Sequence, residues 1–150
     1  MKNLFEASKV EEVKGRLKKL RPDSNPLWGK MNPAQALAHC SGAMKMALGD
    51  IHPPRMLLGR MIGLIVKPML LGNDEPMRRN SPTIKGLVVQ DERNFEEERD
   101  RLFGLIDRFA MAAPEEVAGH PHSFFGRLTS DEWAILMYKH LDHHLRQFGV

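Results

Sequence analysis

The sequence predicts an all-α fold, and three observations lead to this prediction. Apolar residues recur at spacings of three and four along several long segments, which is the period of an amphipathic helix. Capping signals stand at the starts of such segments, and glycine and proline cluster between them. The one strand-like stretch, residues 87–89, is too short to matter. At 150 residues, the chain is expected to form a single domain, residues 1–150, with its own hydrophobic core.

The first two helices are predicted over residues 4–20 and 32–49. Residues 21–26 contain turn formers that end the first of them. Asn32 is a good N-cap for the second, and Gln35 stands three residues later, where a capping-box partner belongs. The apolar face of the first helix is Val10, Val13, Leu17 and Leu20, and the main apolar stripe of the second is Leu37, Cys40, Met44 and Leu48.

The middle of the chain is predicted to hold a short extra helix and a long loop. Residues 55–66 read as helix that stops at Lys67-Pro68, because proline cannot continue the hydrogen-bond ladder. Residues 71–90 are rich in glycine, asparagine and proline and read as loop. Loops of this length are often lids or binding loops, so this one is a candidate for the entrance to a pocket.

Two further long helices are predicted, over residues 91–113 and 129–148, with a polar loop between them. Acidic residues crowd the first turns of the third long helix, which is the sign that the helix dipole favours. Thr129 and Glu132 form a capping box at the start of the last helix. The apolar stripe of the third long helix is Phe95, Leu102, Ile106, Phe109 and Ala113.

Composition narrows the classes of function. The formal net charge is only +3, from 22 basic and 19 acidic residues without a dense basic stripe, so nucleic-acid binding is not expected. The most apolar stretch, residues 56–71, is too short and too charged to span a membrane. Cys40 is the single cysteine, so no intrachain disulfide can form, and residues 1–20 show no signal-peptide core. A cytoplasmic location is therefore expected.

Two histidines in the last helix carry the strongest functional signal. At about 100° per residue, His140 and His144 fall in the middle of an apolar arc with Trp133, Met137 and Phe148. Lys139, Asp142 and Arg146 lie on the opposite, solvated side of the wheel. Two imidazoles buried one turn apart are costly unless something uses their nitrogens, and a pair at this spacing can hold one metal ion. The competing interpretation is a hydrogen-bonded core residue, which is the usual state of a single buried histidine.

A metal site needs a third ligand from elsewhere in the chain. His39 is the best candidate, because its neighbours on the same face of the second helix include Ala36 and Ala43, which leave room for an ion. The remaining candidates flank prolines in loops, where turn or surface histidines are expected: His52, His120 and His122.

His143 lies about 60° from His140 on the wheel, towards the edge of the apolar face. It can be a partner beside the metal, an acid or base that faces a substrate, or a boundary residue, and we favour the boundary interpretation. Cys40 is interpreted as a small core residue and not as a nucleophile.

Two segments resemble motifs of a known superfamily. His140-Leu-Asp-His143-His144-Leu-Arg-Gln147 resembles the His-x-x-His-His-x-x-Gln signature of the DinB/YfiT-like superfamily of metalloenzymes. Residues 28–39, a Trp followed by a capped helix with a His, resemble its second-helix motif. The pattern of Phe125-Gly126, Trp133 and residues 145–149 is similar to a branch known only as a domain of unknown function. Arg146 departs from the pattern, because a glycine often precedes the motif glutamine.

The resemblance implies a four-helix bundle with up-down-down-up topology. It also implies a divalent metal, zinc or nickel most of all, held by three histidines that correspond to His39, His140 and His144. Relatives in the superfamily include thiol-dependent transferases and isomerases.

Two classes of function follow from these residues, beside a third interpretation in which the core histidines of the bundle bind nothing. The first is a metal-dependent enzyme, either a hydrolase or a thiol-dependent transferase. Its substrate would be a small molecule or a low-molecular-weight thiol. In such an enzyme His143 is a candidate proton carrier, and Gln147 is a candidate hydrogen-bond partner of a metal ligand. The second is a metal-binding or interaction protein without catalysis, in which residues 56–71 form a dimer or partner surface. An open coordination position beside a pocket distinguishes the first class, and a closed four-ligand site the second.

Overall fold

A computed structural model describes the whole chain, residues 1–150, and is mostly helical. Two strands of two residues each pair as an antiparallel hairpin, and a 3-10 turn spans Lys85–Leu87. The prediction of an all-α fold is confirmed at this level. The elements are α1 (Ala7–Leu17), α2 (Pro33–Ala47), α3 (Leu57–Leu71), α4 (Phe95–Met111), α5 (Pro114–Ala118), β1 (Pro121–His122), β2 (Gly126–Arg127) and α6 (Ser130–Gln147).

The long helices share one core. Helix α2 packs against α4 and α6, and α1 packs against the same two helices. The buried apolar residues form a single cluster of 32 side chains that draws on every helix of the chain. The apolar faces predicted for the first two helices are confirmed, because all their members are buried: Val10, Val13, Leu17, Leu20, Leu37, Cys40, Met44 and Leu48.

Capping residues fix where α2 and α6 begin. The side chain of Asn32 accepts from the backbone N–H of Gln35 at 2.8 Å, and Gln35 Oε1 accepts from the N–H of Asn32 at 3.0 Å. Thr129 and Glu132 make the same reciprocal pair at 3.1 and 2.9 Å. Each pair satisfies backbone donors that have no partner within the helix. Both predicted capping boxes are confirmed.

Helices α1 and α4 are shorter than predicted. The predicted first helix starts at residue 4, but Leu4 donates its N–H to the carbonyl of Ala134 in α6 instead of joining a helix. The predicted start of α4 at residue 91 is wrong because Asn94 caps the helix, accepting from the N–H of Glu97 at 3.1 Å. Ala113, predicted in the apolar stripe, lies beyond the end of α4 and is exposed.

Helix α3 does not stop at Lys67-Pro68 as predicted but continues to Leu71. Pro68 lacks one N–H, which removes a single bond from the ladder. The last turn is stabilised from outside: the ammonium of Lys139 donates to the carbonyls of Leu70 and Asn73 at 2.6 and 2.7 Å. A cation at the end of a helix satisfies free carbonyls and complements its dipole.

The side of α6 that was predicted to face solvent is mostly covered by other elements. Lys139 and Asp142 are buried, because α3 and α1 pack on that side, and only Arg146 of the predicted set is exposed. The carboxylate of Asp142 accepts from Arg16 of α1 and from Arg146, both at 2.7 Å. Helical periodicity placed these residues correctly on one side of α6, but it could not show that other elements cover that side.

The remaining segments are close to expectation, with two additions. Residues 72–94 contain no regular structure except the 3-10 turn, which agrees with the predicted long loop. The predicted polar loop before α6 instead contains α5 and the hairpin, which turns at residues 123–125. None of the helices combines the length and the hydropathy that crossing a membrane requires.

Candidate metal site

Three histidines from two helices meet between α2 and α6. His39 comes from α2, and His140 and His144 come from α6. One ring nitrogen of each lies within 4.8 Å of the others, and the Nε2 atoms of His39 and His140 are 3.0 Å apart. The structure therefore brings together the three residues predicted as ligands. This arrangement permits a metal site.

Helix packing explains why the rings converge. His39 is buried, with 4% of its surface exposed, and its neighbours Ala36 and Ala43 are small and buried too. His140 and His144 are half-buried and lie one turn apart, with ring centroids 4.8 Å from each other. The ring of His39 lies 4.9 and 4.8 Å from them. The site is thus closed on the α2 side and partly exposed on the α6 side.

The long loop fixes the orientation of His39. Its Nδ1 lies 2.9 Å from the backbone carbonyl of Leu87, whose side chain is buried in the core. A carbonyl oxygen only accepts, so Nδ1 of His39 carries the hydrogen and Nε2 presents its lone pair towards the other two rings. Sequence reasoning missed this contact, because nothing in the spacing of the residues joins position 87 to position 39.

A second chain of hydrogen bonds fixes His144. The amide Nε2 of Gln147 donates to the carbonyl of Trp28 at 2.7 Å, which leaves Oε1 of Gln147 to accept from Nδ1 of His144 at 2.8 Å. Nε2 of His144 is therefore free to bind. Gly29 allows this arrangement: its φ is +79°, and a Cβ on it would lie 2.6 Å from the amide nitrogen of Gln147. The prediction of Gln147 as a partner of a ligand agrees with this contact.

His140 is the least constrained of the three rings. Its Nε2 is paired with Nε2 of His39, and since that atom carries a lone pair, His140 is the donor. Its Nδ1 is buried and has no hydrogen-bond partner. Leaving a buried polar atom unpaired costs about 1–3 kcal/mol. To bind an ion at Nε2, His140 would take the other tautomer, in which the hydrogen moves to Nδ1 and that atom still has no partner.

Electrostatics keep the rings neutral, which is the form that binds a metal. Burial lowers the pKa of His144 to about 3, with the neighbouring His39 adding to the effect. Burial also lowers the pKa of His140 well below its usual range, and His144 and His39 lower it further. The pKa of His39 is lowered by burial too, partly offset by its bond to Leu87. At neutral pH the three imidazoles are uncharged.

The donor set fits a first-row divalent ion. Two nitrogen ligands of a tetrahedral zinc ion, at about 2.0–2.1 Å from the metal, stand roughly 3.4 Å apart. The 3.0 Å between His39 and His140 is close to that separation, and all three ligand atoms lie within 4.8 Å of one another. Three imidazoles suit zinc and nickel alike, so the donor set does not identify the metal.

Comparison with known families gives one match. The family described as "Protein of unknown function (DUF1569)" matches residues 3–149. The chain belongs to the DUF1569 family. Neither the comparison with curated proteins nor the comparison with solved structures gives a match. The resemblance to a branch of unknown function is consistent with this result, whereas membership of the DinB-like superfamily stays a proposal.

A cleft in the DUF1569 chain reaches the metal site from the partly exposed side. Its volume is about 440 Å³, within the range of small-molecule sites. Its lining includes His144, Gln147, Trp28 and Lys30, together with six residues of the long loop between positions 80 and 90. No carboxylate lines the cleft. The predicted role of the long loop as part of a pocket entrance agrees with this placement.

His143 also lines the cleft of the DUF1569 chain, which fits a position at the edge of the apolar face. The residue is buried, with 8% of its surface exposed, and its ring packs edge-on against Trp28 at 5.5 Å and against His144 at 5.1 Å. Burial lowers the pKa of His143, partly offset by the backbone of Met77. A neutral imidazole in this place can accept a proton from a molecule in the cleft.

The other four candidates are not part of the three-histidine group. His52 is exposed, as expected for a turn histidine, and the single cysteine, Cys40, is buried, so that burial raises its thiol pKa. His120 is half-buried against Trp133. His122 is buried, and its Nδ1 accepts from the N–H groups of Phe124 and Phe125 at 3.0 and 3.1 Å. Of the two expectations for His122, the turn one is confirmed and the surface one is wrong, because its ring holds the hairpin turn together.

Proposed function

We propose that this DUF1569 protein is an enzyme that depends on one divalent metal ion held by His39, His140 and His144. The observation that carries the proposal is three converging neutral imidazoles beside a cleft of about 440 Å³. Zinc or nickel is the expected metal. An ion bound by three imidazoles supplies a Lewis acid with at least one coordination position left for water, substrate or a thiol.

The surroundings of the site support catalysis over a purely structural role. No fourth histidine, cysteine or carboxylate joins the three ligands, and His144 borders the cleft. Structural zinc sites are usually closed by four protein ligands. His143 stands in the cleft next to His144 as a group that can take up a proton. A closed, four-ligand site would favour the non-catalytic alternative, and the absence of a fourth protein ligand supports the catalytic one.

The substrate class follows from the cleft. Its size suits a small molecule, and Lys30 is its one permanently charged side chain, so neutral or anionic substrates are favoured over cations. The reaction is proposed to be metal-dependent hydrolysis or transfer to a low-molecular-weight thiol. The fold is proposed to be a DinB-like bundle of α1, α2, α4 and α6 with up-down-down-up topology, on the strength of the motif resemblance and the shared core.

Metal content tests the binding part of the proposal. Purified protein, loaded with zinc or nickel and desalted, should carry about one ion per chain by mass spectrometry. His140→Ala should lose it, and the matched control His52→Ala, which removes an exposed histidine, should keep it. Absence of bound metal in the unsubstituted protein after loading would overturn the proposal.

X-ray absorption spectroscopy tests whether the ion has an open position. Adding a low-molecular-weight thiol to the loaded protein should replace a nitrogen or oxygen neighbour of the metal by sulfur, or should leave an exchangeable water in place if hydrolysis is the reaction. A metal that is fully coordinated by protein atoms under both conditions would reject the catalytic proposal and favour a structural role.

A further inference from the structure

Helix α3 carries an apolar face that nothing in the chain covers. Six of its large apolar side chains are between 52% and 78% exposed, whereas exposed apolar residues elsewhere are scattered singly. At about 100° per residue, the six fall within an arc of roughly 140° along the whole helix. They form the α3 face: Leu57, Leu58, Met61, Leu64, Ile65 and Met69.

The opposite side of α3 is firmly attached, so the helix cannot turn this face inwards. Gly59 and Gly63 lie against the backbone of Phe124 in the hairpin turn, where a Cβ on Gly63 would be 2.6 Å from its carbonyl oxygen. Lys67 pairs with Glu132 at 2.8 Å, and Lys139 binds the carbonyls at the end of the helix. The apolar side chains are thus held outwards by three sets of contacts on the opposite side of the helix.

We propose that a second copy of this chain covers the α3 face, in a two-fold dimer with α3 packed against α3. Six side chains with these exposures present on the order of 700 Å² of apolar surface, close to the roughly 800 Å² per partner of a standard protein interface. A two-fold dimer covers both faces at once, because the same patch meets itself.

The chemistry of the face favours a like helix over a lipid surface. The arc contains Leu, Met and Ile and, near its end, the exposed Pro68, with no charged residue among them, and the apolar spacings of three and four match the ridges of a second helix. Helices that lie on membranes combine an apolar face with many basic residues on the polar face. Helix α3 has only Arg60 and Lys67, and Lys67 is already paired.

Sedimentation equilibrium tests the dimer. The unsubstituted protein should associate as a dimer at micromolar concentrations. The double variant Met61→Glu/Leu64→Glu should raise the dissociation constant on the order of 100-fold or more, because both chains of a two-fold dimer then bring each charge into the interface. Met111→Glu is the matched control, because Met111 is 81% exposed but lies at the end of α4, away from the face. Circular dichroism should show the same helix content in all three proteins.

A thiol placed on the face gives a second test. The native Cys40 is buried, so a cysteine introduced as Ile65→Cys is the one exposed thiol and should form a disulfide-linked dimer on mild oxidation. A monomer at all concentrations, or a dimer that survives the double substitution, would overturn the proposal. Flotation with lipid vesicles, lost in the double variant, would overturn it too and point to a membrane surface.

Discussion

At the scale of single residues, the site depends on hydrogen bonds that decide which ring nitrogen of each histidine carries the proton. Leu87 fixes His39 through its backbone carbonyl, and Gln147 fixes His144 through its side chain. Partners of this kind raise metal affinity because they orient the ring and hold the binding nitrogen free.

Removing the partner of His144 should weaken metal binding without removing a ligand. In Gln147→Leu, Nδ1 of His144 loses its acceptor and the bond to Trp28 is also lost, so we expect the zinc dissociation constant to rise about 10–100-fold. Competition with a coloured chelator measures this change. Gln90→Leu is the control, since Gln90 lines the same cleft but is exposed. Equal affinities for the two variants would contradict the assigned role.

His122 should make folding sensitive to acid. Burial lowers its pKa from 6.5 to about 4, with Arg55 adding to the effect, so the unfolded chain binds a proton more readily than the folded one between these values. Above pH 6.5 the free energy of unfolding contains the whole contribution of the neutral ring. As the pH falls this contribution is lost, and near pH 4.5 the loss is about 2–3 kcal/mol.

Urea unfolding of the metal-free protein at pH 7 and pH 4.5 measures this loss. In His122→Asn, an amide oxygen can still accept from the backbone of the turn but does not titrate, so the variant should lose about 2–3 kcal/mol less than the unsubstituted protein over the same interval. An identical loss in both proteins would show that His122 does not titrate as the structure requires.

At the scale of elements, the order of helices follows from the sequence more closely than their ends or their surroundings do. Periodicity and capping boxes located α2 and α6 well, because these signals are local. The continuation of α3 past Pro68 depends on Lys139, which is distant in sequence, and the burial of His122 depends on how the hairpin packs. Neither is visible in local spacing.

The attachment of α3 can be tested through its glycines. Gly63→Ala places a Cβ against the carbonyl of Phe124 and should destabilise the protein by about 1–3 kcal/mol, although alanine favours helix more than glycine does. The control is Gly104→Ala in α4, where no atom lies within 4 Å of the added Cβ. That variant should gain about 0.5–1 kcal/mol. Urea unfolding curves of the two variants should therefore move in opposite directions.

At the scale of the whole molecule, a bound ion would join two helices whose ligands are 101 residues apart in the chain, His39 and His140. The choice of these ligands was possible from the sequence because His140 and His144 fall on an apolar stripe and His39 has small neighbours. Their convergence, the cleft and the position of His143 beside Trp28 required the packed structure.

Loading with metal should stabilise the fold. Free zinc at about 100 times its dissociation constant adds about 2.7 kcal/mol, which raises the melting temperature by roughly 5–10 °C for a chain of this size. Differential scanning calorimetry with and without zinc measures the shift. His144→Ala should show almost none, and His52→Ala should show the full shift. A shift of equal size in His144→Ala would place the ion somewhere else.

Leu87 is a buried anchor of the long segment between α3 and α4. Its side chain sits in the core next to Gly42, and its carbonyl holds a histidine ring. The two stretches on either side of it are mostly exposed. Lengthening or shortening the stretch before residue 84 should therefore reshape the mouth of the cleft while the ligand rings stay in place. Inserting or deleting one residue next to Leu87 would disturb the mouth of the cleft and the ligand rings together.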